Sequence, residues 1–256
     1  TVVDKYDDIP QQYIDAVKKM WFVIAGESHS VAYRDGLTLL ETLNPVYAVD
    51  VTGGGTPEAY TTSHLRASGA TWGDYDNSSG WTYWYGEEDW FTNATAISRT
   101  KAGITYCNTH SLTLAAIGLG WCADLTEGVG TNNTDPIYGC HWYGNSVNGP
   151  QGDRHTGLDA GDYSITGNTV CLDTYLSATQ EYIDYCISKG YPTKVYFTTG
   201  PVDPDDSWYG EKAYQGHLKH ERIRDYVKAD ATRILFDYAD ILCYDDDGTP
   251  TAIIWN

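Results

Sequence analysis

Trp21 to Ala25 (WFVIA) is a five-residue apolar run that breaks into the turn Gly26-Glu27-Ser28-His29-Ser30. Beyond it, residues 31–43 (VAYRDGLTLLETL) repeat apolar positions at helical spacing and stop at Asn44-Pro45, because a residue ahead of proline is pushed out of the helical region. Val46 to Val51 (VYAVDV) reads as a second strand running into Gly53-Gly54-Gly55. Strand, helix and strand in that order predict a parallel pair joined by a right-handed crossover. Residues 112–119 (LTLAAIGL) predict a third strand. A stripe of Tyr175, Ala178, Tyr182, Ile183, Cys186 and Ile187 predicts a helix that ends at Gly190, a residue suited to the left-handed cap. Lys194 to Thr199 is a fourth strand, Tyr214 to Ala229 a further helix, and Ile234–Phe236 with Ile241–Cys243 a last strand pair or one broken strand. This alternation predicts an α/β fold: a three-layer α/β/α sandwich on a mostly parallel, flavodoxin-like sheet.

Two long excursions interrupt the pattern, at about 56–110 and 123–170. The first is crowded with Trp72, Tyr75, Trp81, Tyr83, Trp84, Tyr85, Trp90 and Phe91; a stretch of that length is a functional insertion or hides helices. There are no internal repeats, so residues 1–256 read as one domain.

Composition narrows the partners. The 16 basic and 35 acidic residues leave a net charge of −19. That repels nucleic acid and anionic membranes, whose affinity rests on Lys and Arg, and no run reaches the ~18 apolar residues of a membrane span. The 22 Tyr and nine Trp stand against four Phe, a bias toward rings that stack on sugar faces at wet surfaces. Trp81, Trp84 and Trp90 are therefore candidate substrate contacts. The six cysteines, Cys107, Cys122, Cys140, Cys171, Cys186 and Cys243, lack metal-ligand spacing, and an even scattered set predicts disulfides in a secreted chain, with 15 connectivities open. Sequons at Asn77, Asn93 and Asn132, and a start at Thr1 with no leader, agree with secretion.

In an open α/β sheet ligands collect at the carboxyl ends of the strands. Ser28 lies there, between the first strand and its helix, where unpaired N–H groups and the helix dipole favour developing negative charge. The alternative is that Ser28 or Ser30 caps the helix. Gly53-Gly54-Gly55 and Gly118-Leu119-Gly120 end the next two strands, and glycine there permits close backbone approach. Asp245-Asp246-Asp247-Gly248 and Asp203-Pro204-Asp205-Asp206 are oxygen-rich turns without the calcium-loop spacing; Ca2+ is the one cofactor they would suggest, and none is expected otherwise.

The block IAGESHS resembles the first conserved block of the SGNH (GDSL-type) hydrolases, with Glu27 where that family has Asp. The stretches GTPEAYTTSHLR, TTGPVD and ILFDYADILCYDDDG are similar to those of secreted bacterial members. The resemblance implies Ser28 as nucleophile, with the backbone of Ser28, Gly54 (or its neighbours) and Gly120 holding the oxyanion. It also marks two departures. Gly118-Leu119-Gly120-Trp121 lacks the family's side-chain amide donor, and no Asp-x-x-His follows the last strand, which implies that the catalytic base lies in chain beyond Asn256. His217 and His220 are the candidate substitutes. The function so implied is a secreted serine esterase removing acyl groups from a carbohydrate. The alternative is an inactive extracellular glycan-binding or self-assembling protein on the same scaffold.

Overall fold

The computed structural model describes residues 3–26, 28–58, 61–83, 88–121, 126, 133–142, 171–202, 212–245 and 247–251. At residues 3, 28, 29, 88, 89, 133, 142 and 212 the description extends to the backbone alone. Trp84, Cys122, Asn132, His155, Asp246 and the turn at 203–206 lie outside the described residues.

The sheet strands are β1 (Trp21–Ala25), β2 (Val49–Thr52), β3 (Leu65–Ser68), β6 (Leu114–Leu119), β9 (Lys194–Thr198) and β10 (Ile234–Phe236). They pair in the order β10-β9-β6-β1-β3-β2, parallel throughout. The short antiparallel pairs β4 (Ala70–Trp72) with β5 (Trp81–Tyr83), and β7 (Asn133–Thr134) with β8 (His141–Trp142), stand apart. The helices are α1 (Gln11–Val17), α2 (Ser28–Leu43), α3 (Glu88–Phe91), α4 (Ala94–Thr109), α5 (Leu172–Lys189), α6 (Lys212–Lys228) and α7 (Tyr238–Ile241). Helices flank both faces of the sheet, giving the expected α/β/α sandwich.

Handedness explains which helix lies where. From β1 the chain crosses through α2 toward β2, while from β6 it moves the other way through α5 and α6 to β9 and β10. Right-handed crossovers in opposite directions put their helices on opposite faces. One face buries Trp21, Val23, Leu119, Val195 and Phe197 against Ile104 and Cys107 of α4, Tyr175 and Tyr182 of α5 and Ile223 of α6. The other face meets α2 through Leu37, which packs with Phe22 and Met20 around Val49, Leu65 and Ala67.

The first excursion resolves into structure. Residues 65–68 form a strand inserted between β2 and β1, and residues 94–109 form a four-turn helix. Asn93 of the second sequon caps that helix, its side chain accepting from the Thr95 N–H at 2.8 Å. Ile241 to Cys243 is not a strand, as the apolar triplet suggested. The Asp237 carboxylate accepts from the Asp240 N–H, starts the helical turn α7, and so overrides the triplet's strand preference. Cys107, Cys171, Cys186 and Cys243 are thiols here, and burial pushes Cys107 up to about 12 and Cys186 up to about 11.

Candidate functional site

The strand order reverses between β1 and β6, and the crevice of such a sheet opens at the carboxyl ends of those two strands. Ser28 heads α2 two residues after Gly26, so its backbone stands at this point. Gly26 has φ +109°, and a Cβ on it would run into the carbonyl oxygen of Gly120. A Cβ on Gly120 would meet Ser30 Cα at 3.0 Å and the Tyr33 ring at 2.8 Å. These two glycines seat the first turn of α2 directly on the strand ends.

Ser30 belongs to the helix and not to the crevice. It is fully buried, its hydroxyl donates to the Gly26 carbonyl at 2.5 Å, and it accepts from the Arg34 guanidinium at 3.1 Å. Arg34 also donates to the Ile24 carbonyl. Both bonds differ from those of a helix cap, whose hydroxyl accepts from a main-chain N–H at the helix start; they fix Ser30 inside the first turn of α2.

The oxyanion donors differ from expectation. The Gly120 N–H donates to the Ala25 carbonyl at 2.8 Å, so it is engaged in holding the two strand ends together and is not free for a ligand. Gly54 follows β2, and β3 intervenes between β2 and β1. Two strand spacings, roughly 10 Å, thus separate the carboxyl end of β2 from that of β1. The position beside β1 that the glycine triplet was expected to fill belongs to Ser68-Gly69, at the end of β3. A Cβ on Gly69 would lie 2.9 Å from Arg34 Nη1, which is the signal of close backbone approach that the sequence alone did not single out. It was hidden because β3 (LRAS) carries a buried Arg66, and a charged residue at a strand centre breaks the apolar pattern.

Of the histidines, His220 stands at this edge of the sheet. It is 3% exposed on α6, and its Nε2 has no hydrogen-bond partner. The Cβ position of Gly200, two residues past β9, is 3.5 Å from that nitrogen and 3.1 Å from Thr126 Oγ1. Burial, reinforced by the Arg224 charge and only partly opposed by Asp237, lowers its pKa to about 3. The imidazole is neutral at physiological pH with one ring nitrogen available. His217, on the same helix, is partly exposed. His64 and His110 lie on the surface, bonded to Ser63 and to the Tyr106 carbonyl, and His141 meets Thr134 in the small β7–β8 pair.

A charged network stiffens the wall behind His220. Arg224 binds Asp237 through Nε at 2.6 Å and Nη2 at 2.9 Å and reaches Glu221 through Nη1. Thr199 donates to Asp237 at 3.0 Å and accepts from the Ala239 N–H. Burial would raise the Asp237 pKa, yet the Arg224 hydrogen bonds and charge outweigh it and the net shift is downward. Tyr33 spans from α2 to this wall, with its hydroxyl 3.5 Å from the Thr199 carbonyl.

Trp81 and Trp90 are both built into aromatic packing, Trp81 half-buried and Trp90 buried. Trp81 packs edge-on against Trp21 and Trp72 at 5.0 and 4.8 Å between centroids, and Trp90 is 5% exposed. The aromatic residues of the first excursion contribute to the packing over one sheet face. Among the described residues no group of three or more His, Cys, Asp or Glu gathers to hold a metal. Asp245 and Gly248 close a tight turn, with the Gly248 N–H donating to the Asp245 carbonyl. No helix among the described residues is long and apolar enough to cross a membrane.

No family model matches the chain, and no curated protein or solved structure is significantly similar to it.

Proposed function

We propose that the chain is a serine hydrolase of the SGNH type acting on a carboxylic ester. The observation that carries this reading is the position of Ser28, the first residue of α2, at the carboxyl end of β1 where the strand order reverses. Main-chain N–H groups at a helix start lack intrahelical partners and favour the oxyanion of acyl transfer.

In this mechanism the Ser28 hydroxyl oxygen attacks the ester carbonyl carbon and its proton passes to the neutral His220 ring. The carbonyl π electrons move onto oxygen, where the Ser28 N–H and the backbone at Gly69 stabilise them. Collapse expels the alcohol, which takes the proton from His220, and water then releases the acid from the acyl-enzyme by the same steps. Asp237 is the carboxylate that favours the imidazolium formed on the way. Trp90 is buried and Trp81 half-buried in aromatic packing, so neither adds support for the carbohydrate part of the substrate, and the proposal stops at an ester.

A second reading, a non-catalytic binding protein on this scaffold, is favoured by one observation: Gly120, which stands where the family carries its side-chain amide donor, has no side chain to offer and spends its N–H on Ala25. A fluorophosphonate probe separates the two. Labelling of the wild type, its loss in Ser28→Ala, and a labelling rate roughly a hundredfold lower in His220→Gln are expected. An unlabelled wild type overturns the hydrolase reading.

A further inference from the structure

We propose that the α2-side face of the sheet carries a binding site for a medium-chain fatty carboxylate, independent of Ser28. Beside α2, the described residues leave this face uncovered over β1, β6, β9 and β10, where it forms a groove of about 1090 Å³, just above the usual range for small-molecule sites. Its floor is apolar, built from Phe22, Ile24, Tyr196 and Phe236. The groove is not uniform along its length. At the amino ends of the strands it is bounded by Lys19 and Lys194 with Thr113, and at the carboxyl ends by Tyr33 and Phe236, whose rings meet edge to face at 5.2 Å.

The charge at the amino end is out of keeping with the molecule. The chain holds 35 acidic residues against 16 basic ones, yet the described lining of this groove includes two lysines and no carboxylate. Buried Arg66 stands behind the same end, its guanidinium bonded to Thr113 Oγ1 and to the Lys19 carbonyl. An occupant therefore meets cations at one end and hydrocarbon along the rest. That is the complement of a carboxylate on an acyl chain. A covering helix, the other usual occupant of a parallel-sheet face, would ask for an apolar floor from end to end. A five-residue strand spans roughly 17 Å, the reach of a medium-length acyl chain lying from Lys194 to Tyr33.

The test is calorimetric titration of the whole chain with dodecanoate and, as the uncharged match, dodecanol. One dodecanoate per chain is expected, bound more tightly than dodecanol and more weakly as salt is raised. Lys19→Glu/Lys194→Glu, at two exposed positions that leave the core untouched, is expected to lose about tenfold for dodecanoate and nothing for dodecanol. Ser28→Ala is expected to bind as the wild type does, so failure here and failure of the hydrolase reading are separate results. Equal affinity for the two amphiphiles, binding of neither, or unchanged dodecanoate affinity in the charge variant overturns the proposal. So does sedimentation showing two copies paired through this face, or uptake of an acidic amphipathic helical peptide that dodecanoate does not displace.

Discussion

The two faces of the sheet are made by alternate residues of the same strands, yet they are finished differently. Trp21, Val23 and Phe197 point into the layer of α4, α5 and α6 and have no solvent exposure. Phe22 and Tyr196, one position away on the same strands, are only partly buried, and Ile234 of β10 is 43% exposed. Strand period alone does not decide burial. The direction in which the chain steps across the sheet does, because three right-handed crossovers deliver their helices to one side and leave α2 with α1 on the other.

This contrast is open to direct attack. Phe197→Ala, which empties a site at the centre of the covered face, is expected to cost about 3–5 kcal/mol in urea unfolding. Gly26→Ala should follow at about 3 kcal/mol, since it forces a side chain into a left-handed backbone and against Gly120 O; retained stability would mean that the strand ends are less tightly joined than described. Arg224→Met leaves the partly buried Asp237 without its main partner and is expected to lose about 2 kcal/mol at neutral pH.

A pH series on His220→Gln isolates one buried proton site. In the native protein the His220 pKa is lowered from 6.5 to about 3, so below pH 6.5 the unfolded chain binds a proton that the folded chain refuses. Stability is then lost as pH falls from 6.5 toward 3, by about 1.4 kcal/mol per unit. The depressed Asp237 adds loss in the same direction as pH falls through its folded value. The variant should keep only the carboxylate part, to which Asp237 contributes, and parallel wild-type and variant profiles would contradict the burial of the imidazole. The smallest effect belongs to the open face, where Ile234→Ala should change stability by less than about 1 kcal/mol. A cost equal to that of Phe197→Ala would erase the distinction between the two sides.

The parts that follow a simple period were legible. WFVIA and KVYFT are β1 and β9 almost to the residue, and the stripe ending at Gly190 is α5, closed by that glycine at φ 67°. What escaped was structure whose pattern carries polar residues for reasons of tertiary contact. Arg66 occupies β3 because its guanidinium ties Glu58, Lys19 and Thr113 together at the sheet's amino end. In α4 the buried positions include Gly103, which is small because Trp72 lies against it, so the helix lacks a strong apolar stripe. The position of Ser28 between β1 and the body of α2 was legible because both elements follow a simple period. The donors around it were not, since an unseen strand changed which glycine lies beside β1 and an unseen hydrogen bond occupied Gly120.

The rims of the sheet carry a consequence of their own. One rim is β10, three residues long and halted by the Asp237 cap, and the other is β2, four residues long with its Asp50 exposed. So few unpaired main-chain groups, flanked by carboxylates on a chain of charge −19, make a poor template for a strand of another molecule. Lateral growth of the sheet into a fibre is thus blocked at both margins, whatever settles on its faces.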